Sequence, residues 1–161
     1  MMEEINEEEC KILKKLTNNY KTQIVVQEFL PDIYDGDVRV LIIHGKPYEK
    51  TLARIPQGGS FKGNLAAGGK GEVRDISDIQ MRIGSVVGEF LMEKDINFAG
   101  IDIIGQKLTE INITSPTCAR EIFEQSGMNP IEEYFKKLFE LNQTIRYLPG
   151  VNQAGSTSVD G

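Results

Sequence analysis

The 161-residue chain has no tryptophan, one histidine (His44) and two cysteines, Cys10 and Cys118. With a single histidine and no Ser-x-x-Lys signature, a Ser-His-Asp hydrolase has no basis. Two cysteines make neither a disulfide framework nor a zinc cluster, so the expected compartment is the reducing cytoplasm. Long apolar runs are also missing. Val38 to Ile43 is short and contains Arg39, far from the roughly 20 apolar residues of a spanning helix. The start, Met1-Met2-Glu3-Glu4, is acidic where a secretory signal is basic, and no membrane partner is expected. Basic charge is in deficit: the formal net charge is −6 and the pI about 4.9. That balance argues against nucleic acid or an anionic membrane as a partner. Small anions remain open, because a few local cations suffice to hold a phosphate.

What is present suits one domain with a hydrophobic core. The first 20 residues read as an amphipathic helix, with Ile5, Ile12, Leu13 and Leu16 near one stripe. Gln23 to Leu30 is β-branched and ends at Pro31, which predicts a strand. Asp35-Gly36 marks a turn, and strands follow over Val38 to His44 and Tyr48 to Ile55. Ser77 or Asp78 can cap a helix running to about Lys94, with Ile79, Ile83, Val86, Val87, Phe90 and Leu91 facing inward. Two further strands, Ile96 to Ile104 and Leu108 to Thr114, flank Gly105-Gln106-Lys107, and a helical pair occupies about Cys118 to Leu141. This reads as an N-terminal helix over residues 1–20, a domain over 21–142 and a disordered tail over 143–161.

The sharpest chemical pattern lies in the last strand pair. A hairpin centred at Gln106 sets Asp102 opposite Glu110, with Asn112 on the same face. Ile101, Ile103, Ile111 and Ile113 then point the other way, toward a core. Facing carboxylates repel unless a cation or proton intervenes, and oxygen-only ligands favour a hard ion such as Mg²⁺. A solvated polar sheet face fits the same spacing. The glycine-rich stretch Pro56 to Glu72, with Arg54, Lys62 and Lys70, could gather backbone N–H groups around an anion. It is equally compatible with a flexible loop, and it is not a P-loop, because the spacing to Lys70 is too long and no Ser or Thr follows. His44 reads as a turn residue and Cys118 as a structural thiol; Glu121, Glu124, Glu132 and Glu133 read as solvated sides of helices.

Several segments resemble one family. Asp35-Gly36-Asp37-x-Arg39-Val40, Ala53-Arg54-Ile55-Pro56-Gln57-Gly58-Gly59, Gly63-Asn64-Leu65-Ala66-Ala67-Gly68-Gly69, Asp102-Ile103-Ile104-Gly105 and Thr109-Glu110-Ile111-Asn112-x-Thr114-Ser115-Pro116-Thr117 occur in the order and spacing of prokaryotic glutathione synthetases, ATP-grasp ligases. The resemblance implies an α+β fold, an antiparallel β-sheet with packed helices forming the C-terminal portion of an ATP-grasp domain. It implies ATP and Mg²⁺ as cofactors, and γ-glutamylcysteine and glycine as partners joined through an acyl phosphate. By the same resemblance Asp102, Glu110 and Asn112 would hold Mg²⁺, and Arg54 and Asn64 would be catalytic. Gln27, Glu28, Phe29 and Leu30 would form the adenine hinge; Asp37, Arg39, Lys62 and Asp102 would complete the nucleotide site. Ser115, Pro116 and Thr117 would be the substrate-side wall. Lys62 stands where the family pattern expects arginine, which keeps the charge and loses a bidentate fork. The family's N-terminal domain, its nucleotide-contacting lysines and its lid have no counterpart in the chain. A second chain supplying those lobes, and a homo-oligomer as in full-length members, are the partners this implies.

Overall fold

The computed structural model describes residues 6–58 and 69–146. Among these, four α-helices accompany one antiparallel sheet. Helix α1, Glu7–Leu16, starts at a capping box in which Asn6 accepts from Glu9 N–H and Glu9 returns a bond to Asn6 N–H. It buries no residue. A 3₁₀ turn over Pro31–Asp35 leads into β1, Asp37–Ile43, followed by the two-residue β2, Lys46–Pro47, then β3, Lys50–Ile55, and β4, Lys70–Asp75. Helix α2, Asp78–Met92, precedes the hairpin of β5, Phe98–Ile104, and β6, Lys107–Asn112. Helices α3, Ala119–Ser126, and α4, Pro130–Arg146, close the described chain.

The sheet runs β4-β3-β1-β5-β6, with β2 paired to β1. Strand β1 is central because Val-Arg-Val-Leu-Ile-Ile finds neighbours on both edges and helices on both faces; all of Val38–Ile43 is buried. On one face Val38, Val40, Ile42, Ala53, Ile101 and Ile103 pack beneath Val87 and Leu91 of α2. On the other, Leu41, Ile43, Leu52 and Tyr48 pack with Cys118 and Ile122, which α3 brings down. Burying each such aliphatic side chain contributes about 1.5–3 kcal/mol.

Four expectations need correction. Gln23–Leu30 is not a strand: it pairs with nothing among the described residues, and Val25 and Val26 are 88% and 74% exposed. A β-branched run needs a ladder partner to become a strand, and local propensity alone does not supply one. Ile111 and Ile113 are exposed, not core, because β6 is the edge strand and no helix among the described residues covers it there. In α2 the inward positions are Gly84, Val87, Gly88 and Leu91, while Val86 and Phe90 face out. The two glycines bring the helix onto the β1–β2 turn, where a Cβ on Gly88 would stand 2.1 Å from Gly45 O. That close approach rotates the buried stripe away from Val86. Lastly, the strand expected from Tyr48 starts at Lys50. Residues 147–161 lie outside the described residues.

His44 occupies its turn at φ 46°. Its ring stacks on Tyr134 at 5.0 Å, with Nδ1 3.3 Å from Asn97 Oδ1 and Nε2 3.2 Å from Tyr134 O. It joins the β1–β2 turn to α4, a structural role.

Candidate active site

Strand alternation places Asp37 and Arg39 of β1, Arg54 of β3 and Asp102 of β5 on the face that carries Leu41 and Leu52, one or two pleats further along. Register does the rest: Asp37 lies across from Arg54, and Arg39 across from Asp102. Arg39 grips Asp102 as a fork, Nε to Oδ1 at 2.5 Å and Nη2 to Oδ2 at 2.9 Å. Arg54 Nη2 donates to Asp37 Oδ2 at 2.6 Å and lies 2.8 Å from Asp102 Oδ1. Its Nε also donates to Asp37 O at 3.3 Å. From β6, Asn112 Nδ2 donates to Asp102 Oδ2 at 3.3 Å, and Thr109 Oγ1 to the Asp102 carbonyl at 3.1 Å. Two guanidiniums and two carboxylates therefore balance in a network whose Arg39, Arg54 and Asp102 are all buried.

The two carboxyls respond oppositely. Burial pulls the Asp102 pKa up, but hydrogen bonds from Arg39 and the charge of Arg54 outweigh it, so the group lies below the ordinary value. For Asp37 burial is the largest influence, and the nearby Asp102 charge adds to it; Arg54 only partly offsets them, and its pKa is raised. The geometry explains this. Asp37 Oδ2 is held by Arg54, while Oδ1 is buried with no hydrogen-bond partner. An orphaned buried acceptor calls for a donor or a cation.

Asp37 faces a cavity of about 540 Å³ lined by Gln27, Glu28, Phe29, Leu30, Ile33, Asp37, Asp102, Ile104, Thr109 and Glu110. The hinge segment thus reaches the acidic hairpin even though it is not a strand, and Lys107 pairs with Glu28 at 2.7 Å to hold it there. Glu110 stands opposite Asp102, as the hairpin spacing predicts. A register shift between Asp102 and Ile103 reconciles that pairing with the tight turn after Ile104. A second groove of about 420 Å³ lies between Tyr48 and the start of α4, and holds none of these residues. Its lining lysines and glutamates balance in charge, whereas Asp37, Asp102 and Glu110 line the first cavity.

A family model described as prokaryotic glutathione synthetase, ATP-grasp domain, matches residues 2–127. The chain belongs to the prokaryotic glutathione synthetase family. Among curated relatives, the glutathione synthetase of Vibrio parahaemolyticus is 51% identical over 111 residues, covering 69% of this chain and 35% of the relative. That of Pseudomonas syringae pv. tomato is 51% identical over 118 residues, covering 73% and 37%. That of Xylella fastidiosa is 46% identical over 124 residues, covering 77% and 40%. The chain therefore spans between a third and two fifths of these relatives' length. Among solved structures, the ATP-grasp ligase PsnB, complexed with precursor peptide PsnA2 and AMPPNP, aligns with TM-score 0.50 at 17% identity, covering 73% of this chain and 35% of that one. That likeness bears out the α+β ATP-grasp fold.

Of the residues the family resemblance singles out, Asp37, Arg39, Arg54, Asp102 and Asn112 are joined in one network, and Gln27–Leu30 and Glu110 share its cavity. Of Ser115 to Thr117, Pro116 stands beside it: Pro116 Cβ and Arg39 Cδ each lie 2.9 Å from where a Cβ on Gly100 would be. Ser115 at φ 47° and Cys118 at φ 87° bracket that loop in left-handed conformations, a local strain of the kind found at functional sites. Burial pushes the Cys118 thiol up, which keeps it inert. Lys62 and Asn64 lie outside the described residues. The Asp37–Arg54 pair and the fork of Arg39 on Asp102 follow from strand register, which a single sequence does not print. No helix among the described residues is long and apolar enough to cross a membrane.

Proposed function

We propose that this chain supplies the metal-nucleotide side of a glutathione synthetase active site, where an ATP-dependent ligase joins γ-glutamylcysteine to glycine. The observation that carries the reading is the orphaned Oδ1 of Asp37, a residue that lines the cavity shared by Gln27–Leu30 and Glu110, beside two guanidiniums already fixed in place. In this reading the γ-phosphoryl group of ATP passes to the C-terminal carboxylate of the dipeptide, forming an acyl phosphate and ADP. The glycine amine then attacks the acyl carbon, and phosphate leaves as the tetrahedral intermediate collapses. Arg54 stabilises the transferring phosphoryl group, for which a planar cation is suited. Gln27 to Leu30 receive the adenine through backbone groups, Asp37 and Arg39 border the nucleotide, and Ser115 to Thr117 wall the dipeptide. Lys62 and Asn64 serve the triphosphate and the substrate.

The donor set fits Mg²⁺. Asp102, Glu110 and Asn112 offer oxygens from one face of the hairpin, and the described residues hold no group of three His, Cys, Asp or Glu that would cage a metal alone. Mg²⁺ commonly takes its remaining ligands from phosphate and water. The charge balance agrees, because a network of two arginines and two aspartates has no net positive charge to spare for a triphosphate. When bound, the ion neutralises phosphate charge and orients the transferring group.

The remaining length of the family, whether joined in the same polypeptide or contributed by a second chain, completes the site, and the assembly is a homo-oligomer in the cytoplasm. The test is ADP release with Mg-ATP, γ-glutamylcysteine and glycine, beside Asn112→Ala. A rate that needs both substrates and vanishes in the variant supports the reading; no rate even with the missing lobes supplied overturns it. A second reading, a nucleotide-binding remnant without turnover, is favoured by the exposure of Val25 and Val26 beside the hinge. Calorimetry that finds Mg-AMPPNP binding without any turnover would select it.

A further inference from the structure

We propose that Gln125 is a positioning residue that holds the strand opposite Arg54 in place, acting as a single peptide unit of a further strand. Strand β4 is an edge strand among the described residues, where the backbone groups on its outer side have no ladder partner. The Gln125 carboxamide takes two of them. Its Oε1 accepts from Val73 N–H at 3.0 Å, and its Nε2 donates to Gly71 O at 3.2 Å. An acceptor and a donor meeting residues two apart is how a neighbouring strand would pair. No other described side chain bonds to the outer edge of β4 in this way.

What the clamp holds matters more than its own energy. Gly71 lies directly across from Arg54, and Lys70 across from Ile55, so this end of β4 is the outer support of the Arg54 backbone. On its other side β3 pairs with β1 at only three positions, Asp37↔Arg54, Val38↔Ala53 and Arg39↔Leu52. Gln125 itself rides on α3, which begins just after Ser115 to Thr117 and seats Ile122 in the core. One side chain thus ties the helix behind the Ser115–Thr117 loop to the strand that backs Arg54. The role in catalysis rests on the ligase reading; the positioning of Arg54 does not.

The test needs no nucleotide. In the full chain, Gln125→Leu speeds hydrogen exchange at the Val73 amide about fivefold, the size expected for one exposed hydrogen bond. It also shifts or broadens the Arg54 Nε–H resonance. Gln125→Glu keeps an acceptor for Val73 N–H but cannot donate to Gly71 O, so it restores most of the Val73 protection and part of the Arg54 signal. Glu124→Gln, one residue earlier on α3 and paired only with Arg120, leaves both unchanged. A Val73 amide that exchanges equally fast with and without the Gln125 amide overturns the proposal. So does a Val73 response with the Arg54 resonance unmoved, which would reduce Gln125 to a cover for the strand edge. If Mg-ATP fails to bind while both signals respond, the ligase reading falls and the positioning role stands.

Discussion

The two ends of one sheet face are built from the same strands and do opposite things. At one end Leu41, Ile43 and Leu52 are sealed beneath α3 and α4. At the other, two residues away along each strand, Arg39 lies beyond Leu41, Arg54 beyond Leu52 and Asp102 beyond Gly100. The apolar end is stabilised by non-directional burial, and each of its residues can be exchanged for another of similar volume. The charged end has no such tolerance, since every desolvated charge there must keep its partner. The gain is rigidity: charged side chains rooted in central strands are fixed before any ligand arrives, which is what electrostatic preorganisation requires.

The largest effect should come from breaking the charged end at its hub. Asp102→Ala leaves Arg39 and Arg54 without their shared carboxylate, and the loss of a buried partner costs about 3–5 kcal/mol. Leu41→Ala at the apolar end should cost about 2–5 kcal/mol through lost burial and a cavity. Urea denaturation compares them, and a paired replacement separates the causes. Arg39→Met with Asp102→Leu should be milder than Asp102→Ala, because it also removes the guanidinium that loses its only carboxylate, while Arg54 keeps Asp37 in both variants. An Asp102→Ala cost under about 1 kcal/mol would mean that the network is effectively solvated, and the contrast between the two ends would fail.

A smaller contrast concerns two glycines. At Gly88 a methyl group would meet Gly45 O at 2.1 Å and Gly45 C at 2.7 Å, both backbone atoms that cannot step aside. Gly88→Ala should therefore destabilise by about 1–3 kcal/mol, read as a lower urea midpoint. At Gly100 the same methyl would meet Arg39 Cδ and Pro116 Cβ at 2.9 Å. Those are side-chain atoms, so Gly100→Ala should cost less stability while displacing the fork on Asp102. Equal costs at the two positions would show that Arg39 is held as rigidly as backbone.

Much of this was legible in the sequence. The Asp102–Glu110 pairing followed from turn spacing, the start of α2 from the two candidate caps Ser77 and Asp78, of which Ser77 is the cap, and the family from ordered motifs. What escaped depended on neighbours. Gln23–Leu30 has the composition of a strand, but composition does not say whether a partner strand is present. Val86 and Phe90 fit the helical period, yet Gly84 and Gly88 set which side of α2 approaches the sheet. Ile111 and Ile113 alternate correctly but lie on an edge that nothing among the described residues covers. The Asp37–Arg54 pair spans strands whose register only the folded sheet fixes.

The smallest effect is in pH, and it tests the orphaned oxygen most directly. Asp102 is depressed below its ordinary 3.8, so its contribution to stability is present above that value and lost as pH falls through the folded pKa. Asp37 is raised above the same 3.8, so its contribution has the opposite sense. The folded chain keeps that proton after the unfolded chain has released it, and stability declines as pH rises from 3.8 through the folded value. Together the pair favours folding most near 3.8, with a fall on either side. In Asp37→Asn the fall on the alkaline side should disappear while the acid side, which belongs to Asp102, remains. Urea midpoints of both proteins from about pH 3 to about pH 7 give the difference curve. A wild-type advantage that shrinks with rising pH means that Asp37 Oδ1 is unpaired in the free protein. A difference that grows with pH would mean that Arg54 stabilises the Asp37 carboxylate more than burial opposes it. The cavity would then present a satisfied anion, with no acceptor waiting for a ligand.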